Sequence, residues 1–200
     1  MNFAVLASGS GTNLQAIIRA CRQKRIRAEL KVVFSDRPNA FALERARKAR
    51  VPCVAYRSPR LHPSRASFDK AVVKLLKDEG VDFVVLAGYM RILSPVFIRA
   101  FKDRILNIHP ALLPAFKGAQ AIHDALEYGA RVTGVTVHIV DEEVDHGPIV
   151  AQAALEIRPT DTPASLEARI HKVEHRIYPQ VIDLFARGRL RVVGRVVKVV

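Results

Sequence analysis

Asn107 and His109 stand two residues apart in the apolar run from Ile105 to His109 of this 200-residue chain. On a strand both side chains leave the same face, while Leu106 and Ile108 leave the other. An amide that can donate to a developing oxyanion, beside an imidazole that can move a proton, is the smallest kit for acyl transfer. The same pair also reads as a hydrogen-bonded histidine of the core. Pro110 ends the run and leaves His109 at its carboxyl end, where open α/β sheets bind ligands. Asp145 lies in the Gly-Pro turn Val144-Asp145-His146-Gly147-Pro148. A loop carboxylate there meets solvent or caps a turn, unless it serves a histidine; His109 is one whose ring a carboxylate would orient and bias toward the imidazolium.

Ser8-Gly9-Ser10-Gly11-Thr12-Asn13 sits between an apolar run and a helical pattern. It is either an ordinary capped β–α turn or an anion site built from backbone N–H groups and a helix dipole. It falls short of the dinucleotide fingerprint and has no Walker lysine. Glu174 borders the apolar face of the carboxy-terminal helical segment, so it needs a partner: an arginine in a structural ion pair, or a ligand. His123, His138, His171 and His175 are scattered without metal-ligand spacing, so no metal is expected, and His138 is expected to be satisfied internally. Gly9-Ser10-Gly11 has its glycines too close to the serine for a nucleophile elbow.

These residues require a scaffold, and the hydrophobic pattern supplies one. Val5 to Ala7, Lys31 to Phe34, Pro52 to Tyr56 and Val81 to Leu86 read as strands. Between them Leu14, Ile17, Ile18 and Cys21, then Ala42 to Ala49, then Phe68 to Leu76 recur at helical spacing, the last helix stopping at Gly80. This alternation predicts an α/β fold with a mostly parallel, Rossmann-like sheet flanked by helices. Past Ser94-Pro95 the rhythm changes, with strands at Ile105 to His109 and Arg131 to Val140 separated by a loop and short helix, and an apolar run from Ile149 to Ala154. Thr162-Pro163 opens a long helix that Pro179 is expected to kink and Gly188 to stop, and Leu190 to Val200 reads as one edge strand.

The chain is half apolar, enough for one buried core, and its two cysteines, Cys21 and Cys53, make no disulfide framework. With no apolar stretch long enough to span a bilayer and no signal segment, a cytoplasmic protein without a membrane partner is expected. The net charge of +13 suggests a polyanion, yet the basic residues are spread along the chain without interleaved aromatics. No nucleic-acid partner is expected; the field suits a small phosphorylated or polyglutamate-bearing ligand.

Five segments together carry a family resemblance: Leu6-Ala7-Ser8-Gly9-Ser10-Gly11-Thr12-Asn13-Leu14-Gln15, Leu86 to Pro95, Asn107-Ile108-His109-Pro110-Ala111-Leu112-Leu113-Pro114, Asp145-His146-Gly147-Pro148, and Lys172 to Pro179. From Met1 to about Leu190 the chain resembles the glycinamide ribonucleotide formyltransferases of the folate-dependent formyltransferase family. The resemblance implies the formyltransferase fold as a single domain over residues 1–200. A phosphate-binding half (about 1–100), a catalytic and folate-binding half (about 101–190) and a tail (191–200) would divide it. It implies that Asn107, His109 and Asp145 are catalytic, that Gly11, Thr12 and Asn13 hold the phosphate of glycinamide ribonucleotide, and that Glu174 also binds that substrate. It implies further that the backbone of Met90, Arg91, Ile92 and Leu93 holds the pterin of 10-formyltetrahydrofolate, that no metal takes part, that Leu113-Pro114 is cis, and that the enzyme is a monomer or homodimer. Ala111, Gln120 and His146 depart from the family pattern, which has a serine, a histidine and a small residue there. A formyltetrahydrofolate hydrolase shares the trio but carries an added amino-terminal domain. A methionyl-tRNA formyltransferase adds a carboxy-terminal one, and a nucleotide-binding module without catalysis would not need the trio.

Overall fold

The structure, a computed structural model, describes residues 1–56 and 62–200. Its first half alternates as the pattern predicts: β1 (Asn2–Leu6), α1 (Thr12–Arg22), β2 (Glu29–Ser35), α2 (Phe41–Lys48), β3 (Cys53–Ala55), α3 (Arg65–Asp78), β4 (Phe83–Leu86) and α4 (Pro95–Ala100). The second half holds β5 (Ile105–His109), α5 (Ala121–Glu127), β6 (Val132–Ile139), β7 (Ile149–Glu156), α6 (Pro163–Ala186), β8 (Leu190–Val193) and β9 (Val196–Val199). The nine strands of the described residues join one sheet in the order β3-β2-β1-β4-β5-β6-β7-β9-β8. From β3 to β5 the neighbours are parallel; β6 runs antiparallel to β5 and β7 antiparallel to β6.

Period-two alternation distributes the strands between two cores. Phe3 and Val5 of β1, Phe83 and Val85 of β4, and Leu106 and Ile108 of β5 face one side with α1, α2 and α6. Ala4, Leu6, Val84, Leu86 and Ile105 face the other with α3 and α4. Asn107 and His109 share the parity of Ile105, so they project on the α3 and α4 side. The chain leaves β1 for β2 and β3 on one flank and returns to β4 on the other. A crevice therefore opens at the carboxyl ends of β1 and β4, the switch point where open α/β sheets bind ligands. Ser8 ties its rims together: its N–H donates to the Gly88 carbonyl at 3.0 Å, its hydroxyl donates to Asp36 Oδ1 at 2.6 Å, and that hydroxyl accepts from the Met90 N–H at 3.0 Å.

Pro179 lies inside α6, which runs as one helix of 24 residues. Ile177, Tyr178, Val181 and Ile182 are buried on either side of the proline, and the Tyr178 hydroxyl reaches the Leu86 and Leu106 carbonyls at 2.7 and 3.0 Å, so tertiary packing outweighs the lost backbone bond. The tail is a hairpin and not a single edge strand, because Gly194, at φ 60°, lets the chain reverse between β8 and β9. The remaining punctuation is as expected. Thr162 and Ser165 form a capping box ahead of α6, with Pro163 in its first turn. Beyond its end the Gly188 and Arg189 N–H groups bond back to Phe185 and Leu184.

Candidate active site

The antiparallel register of β5 and β6 places Asn107 opposite His138 and His109 opposite Thr136. Asp145, from the loop joining β6 to β7, completes the group. Its Oδ2 lies 3.3 Å from His109 Nδ1 and accepts from the Gly118 N–H at 2.9 Å, while its Oδ1 accepts a longer bond of 3.4 Å from Asn107 Nδ2. Asn107 Nδ2 also donates to His138 Nε2 at 3.1 Å, leaving His138 Nδ1–H to the Ile139 carbonyl at 3.1 Å. His138 is thus satisfied internally, as its strand position implies, but its partner is a site residue. Sequence reasoning missed that second role; the polar pair Thr136 and His138, two apart in an apolar strand, was the available signal.

The loop shape is forced. Asp145 has φ 48°, in the left-handed region. A Cβ at Gly147 would sit 1.8 Å from the Ile139 carbonyl oxygen, so the chain passes β6 too closely for any side chain. Beyond His109, Thr136 Oγ1 donates to the Ala111 carbonyl at 2.7 Å and accepts from the Leu113 N–H at 3.0 Å. Gln152 Nε2 reaches both Thr136 Oγ1 and the Leu113 carbonyl. These bonds fix the turn entering the Leu113-Pro114 bond, which is cis as expected. Of the departures, Ala111 is buried, Gln120 precedes α5 without a side-chain cap, and His146 points toward Asp141.

His109 Nε2 lies 2.7 Å from the Phe116 carbonyl, which assigns the ring proton to Nε2 and leaves Nδ1 as the basic nitrogen facing a carboxylate. The pair is one proton short, the condition of a proton acceptor. Burial pushes the His109 pKa below its ordinary value; Asp145 and the Phe116 carbonyl pull the other way without overcoming it. The expected bias of Asp145 toward the imidazolium is therefore present but outweighed, because desolvation disfavours the charged ring. Asp145 responds oppositely: burial raises its pKa, and His138, the Gly118 N–H and His109 together outweigh that and hold it below the usual carboxylate range.

Asn107, His109, His138 and Asp145 line a cavity of about 360 Å³ with Leu86, Leu93, Ile98 and Val140. The Met90, Arg91, Ile92 and Leu93 segment forms another part of its wall. The Arg91 guanidinium lies 4.5 Å over the Phe68 ring and beside buried Asp69, whose Oδ2 accepts from the Ser94 N–H at 2.6 Å. This loop is therefore held from behind by α3. Gly11, Thr12, Asn13 and Glu174 do not line that cavity and form a second group. Gly11, at φ 72°, precedes α1, and a Cβ there would meet Ala42 of α2 at 2.8 Å. The free N–H groups of the first turn of α1 lie beyond it. Asn13 Nδ2 donates to buried Glu174 at 2.8 Å and His171 Nε2 lies 3.9 Å from it, so this carboxylate is partnered by the first turn of α1 and its own helix and not by an arginine. Burial raises the Glu174 pKa, with Asn13 opposing. Among the described residues one further group, His123, Asp124 and Glu127 on α5, has possible ligand atoms within 4.8 Å of one another. Sequence spacing had not singled it out, and it lines neither the cavity nor the loop before α1.

Residues 1–182 match the family described as formyl transferase. Among relatives, the chain is 42% identical over 180 residues to the phosphoribosylglycinamide formyltransferase of Bacillus subtilis (strain 168), covering 90% of this chain and 92% of that protein. It is 43% identical over 191 residues to the enzyme of that name from Escherichia coli (strain K12), covering 96% and 90%. The solved glycinamide ribonucleotide transformylase 1 from Symbiobacterium toebii superimposes with a TM-score of 0.98 at 51% identity, covering 100% of this chain and 94% of that one.

Proposed function

The chain belongs to the formyl transferase family, and from that premise we propose that it transfers the formyl group of 10-formyltetrahydrofolate to the amine of glycinamide ribonucleotide, a step of purine biosynthesis. The observation that carries the assignment to particular residues is the convergence of Asn107, His109 and Asp145 in one cavity with the Met90 to Leu93 segment. The folate is a cosubstrate, and the cavity suits it: apolar Leu86, Leu93, Ile98 and Val140 offer surface to a flat ring beside the polar trio.

In the mechanism these residues support, the amine of the ribonucleotide attacks the formyl carbon on N10 of the folate. The carbonyl π electrons move onto oxygen, and the tetrahedral intermediate collapses by breaking the bond to N10. The long contact from Asn107 Nδ2 to Asp145 is the one free to exchange for the oxyanion. The proton leaving the amine passes to the His109–Asp145 pair, which is one proton short, and returns to N10 as that nitrogen departs. No covalent enzyme intermediate forms. The first turn of α1 at Gly11, Thr12 and Asn13 holds the phosphate, and Glu174, braced by Asn13, binds the same substrate. The chain works in the cytoplasm on small molecules, as a monomer or homodimer, without a nucleic-acid or membrane partner. Among the described residues no helix is long and apolar enough to cross a membrane.

The test is an absorbance assay of formyl loss from a 10-formyl folate. Turnover that appears on adding glycinamide ribonucleotide supports the proposal, and no turnover with both substrates present refutes it.

A further inference from the structure

The loop that carries Asp145 is held from an unexpected quarter. The turn of the carboxy-terminal hairpin presents Arg195, whose Nη2 donates to the His146 carbonyl at 2.5 Å and whose Nη1 lies 3.1 Å from His146 Nε2. The His146 Nδ1–H donates to Asp141 Oδ2 at 2.7 Å, and Asp141 Oδ1 accepts from the Glu143 N–H at 3.1 Å. One guanidinium therefore grips both the backbone and the ring of the residue next to Asp145, and that ring ties the end of the loop to its start. The grip falls where the backbone is least relaxed, between Asp145 at φ 48° and a Gly147 pressed against β6. The hairpin also meets the main sheet close by, through the pairing of Ile149 with Val196.

We infer that Arg195 is a positioning residue, acting through His146 to keep the Asp145 carboxylate against His109. The side chain reaches the catalytic group only through the loop, so its loss acts on turnover and not on holding the ribonucleotide, whose proposed contacts lie at Gly11 to Asn13 and Glu174. This role rests on the function proposed for Asp145, and the test separates the two. Arg195→Ala, Arg195→Lys, Asp145→Asn and the double variant Arg195→Ala with Asp145→Asn are assayed for kcat and for KM toward ribonucleotide, with thermal unfolding to confirm that each is folded. Displacement of a catalytic group by a remote change costs up to about a hundredfold, so Arg195→Ala should lower kcat by about ten- to a hundredfold at unchanged ribonucleotide KM. Arg195→Lys, which can reach the carbonyl but not carbonyl and ring together, should recover part of it. In the Asp145→Asn background the Arg195→Ala change should cost almost nothing more, because residues acting through one group are not additive. Unchanged kcat in Arg195→Ala, or equal losses with and without Asp145, would overturn the positioning role while leaving the active site as proposed. Near-normal turnover of Asp145→Asn alone would overturn both.

Discussion

At the scale of residues, the proposed chemistry turns on a histidine kept neutral by burial and a carboxylate kept charged beside it. Replacing His109 with Ala or Asp145 with Asn should lower kcat by about 10²–10⁴-fold, the range for a lost general acid–base group. Ribonucleotide affinity, measured by calorimetry, should stay near that of the parent, since the proposed phosphate contacts lie at Gly11, Thr12 and Asn13, outside the cavity. The sign of the pH dependence follows from the ring. Because its pKa lies below the ordinary 6.5, the neutral, proton-accepting form persists through pH 7 and is lost only as pH falls through that lower value. The acidic limb of kcat/KM should therefore have its midpoint below 6.5, and a midpoint above it would contradict the burial of His109. Asn107 and His109 were legible in the sequence because two-residue spacing on an apolar strand fixes a shared face. His138 was not, since its partner becomes known only when β6 pairs with β5 in register.

At the scale of elements, helices and strands were legible where period and punctuation agree, as in α3 stopping just before Gly80 and α6 opening after Thr162. The expectation of one edge strand failed where a two-residue turn hides in a basic, β-branched tail. The connections between elements yield a stability prediction. Thr136 serves the Ala111 carbonyl, the Leu113 N–H and Gln152 together, so Thr136→Val removes the partner of each at nearly constant volume. Stranding buried polar groups costs about 1–3 kcal/mol, which denaturant unfolding would register as a lower midpoint with an unchanged slope. Gly134→Ala should be at least as damaging, because its Cβ would lie 2.2 Å from the Ala153 carbonyl oxygen and 2.7 Å from Leu112. A variant with parental stability at either position would show that this strand region relaxes more easily than its packing implies.

At the scale of the whole molecule, one sheet places two features about its switch point: a cavity lined by the trio, and the turn at Gly11 with the first turn of α1, packed against α2 and α6. If that turn holds the phosphate, the dephosphorylated riboside should show a much lower kcat/KM than the ribotide. Equal values would remove Gly11, Thr12 and Asn13 from the site. The charge of +13 was legible as a preference for anions but not as a location, since composition carries no geometry. The trio cannot by itself distinguish transfer from hydrolysis, because an amine and a water molecule use the same oxyanion donor and proton acceptor. The acceptor makes the difference by occupying the place of water at the formyl carbon. The decisive measurement is therefore the product balance, with folate product, formylated ribonucleotide and free formate quantified in the same reaction, with and without acceptor. The account predicts folate product and formylated ribonucleotide in equal amounts, with formate a minor product. Formate released at the same rate whether or not glycinamide ribonucleotide is present would make this protein a hydrolase and contradict the proposed function.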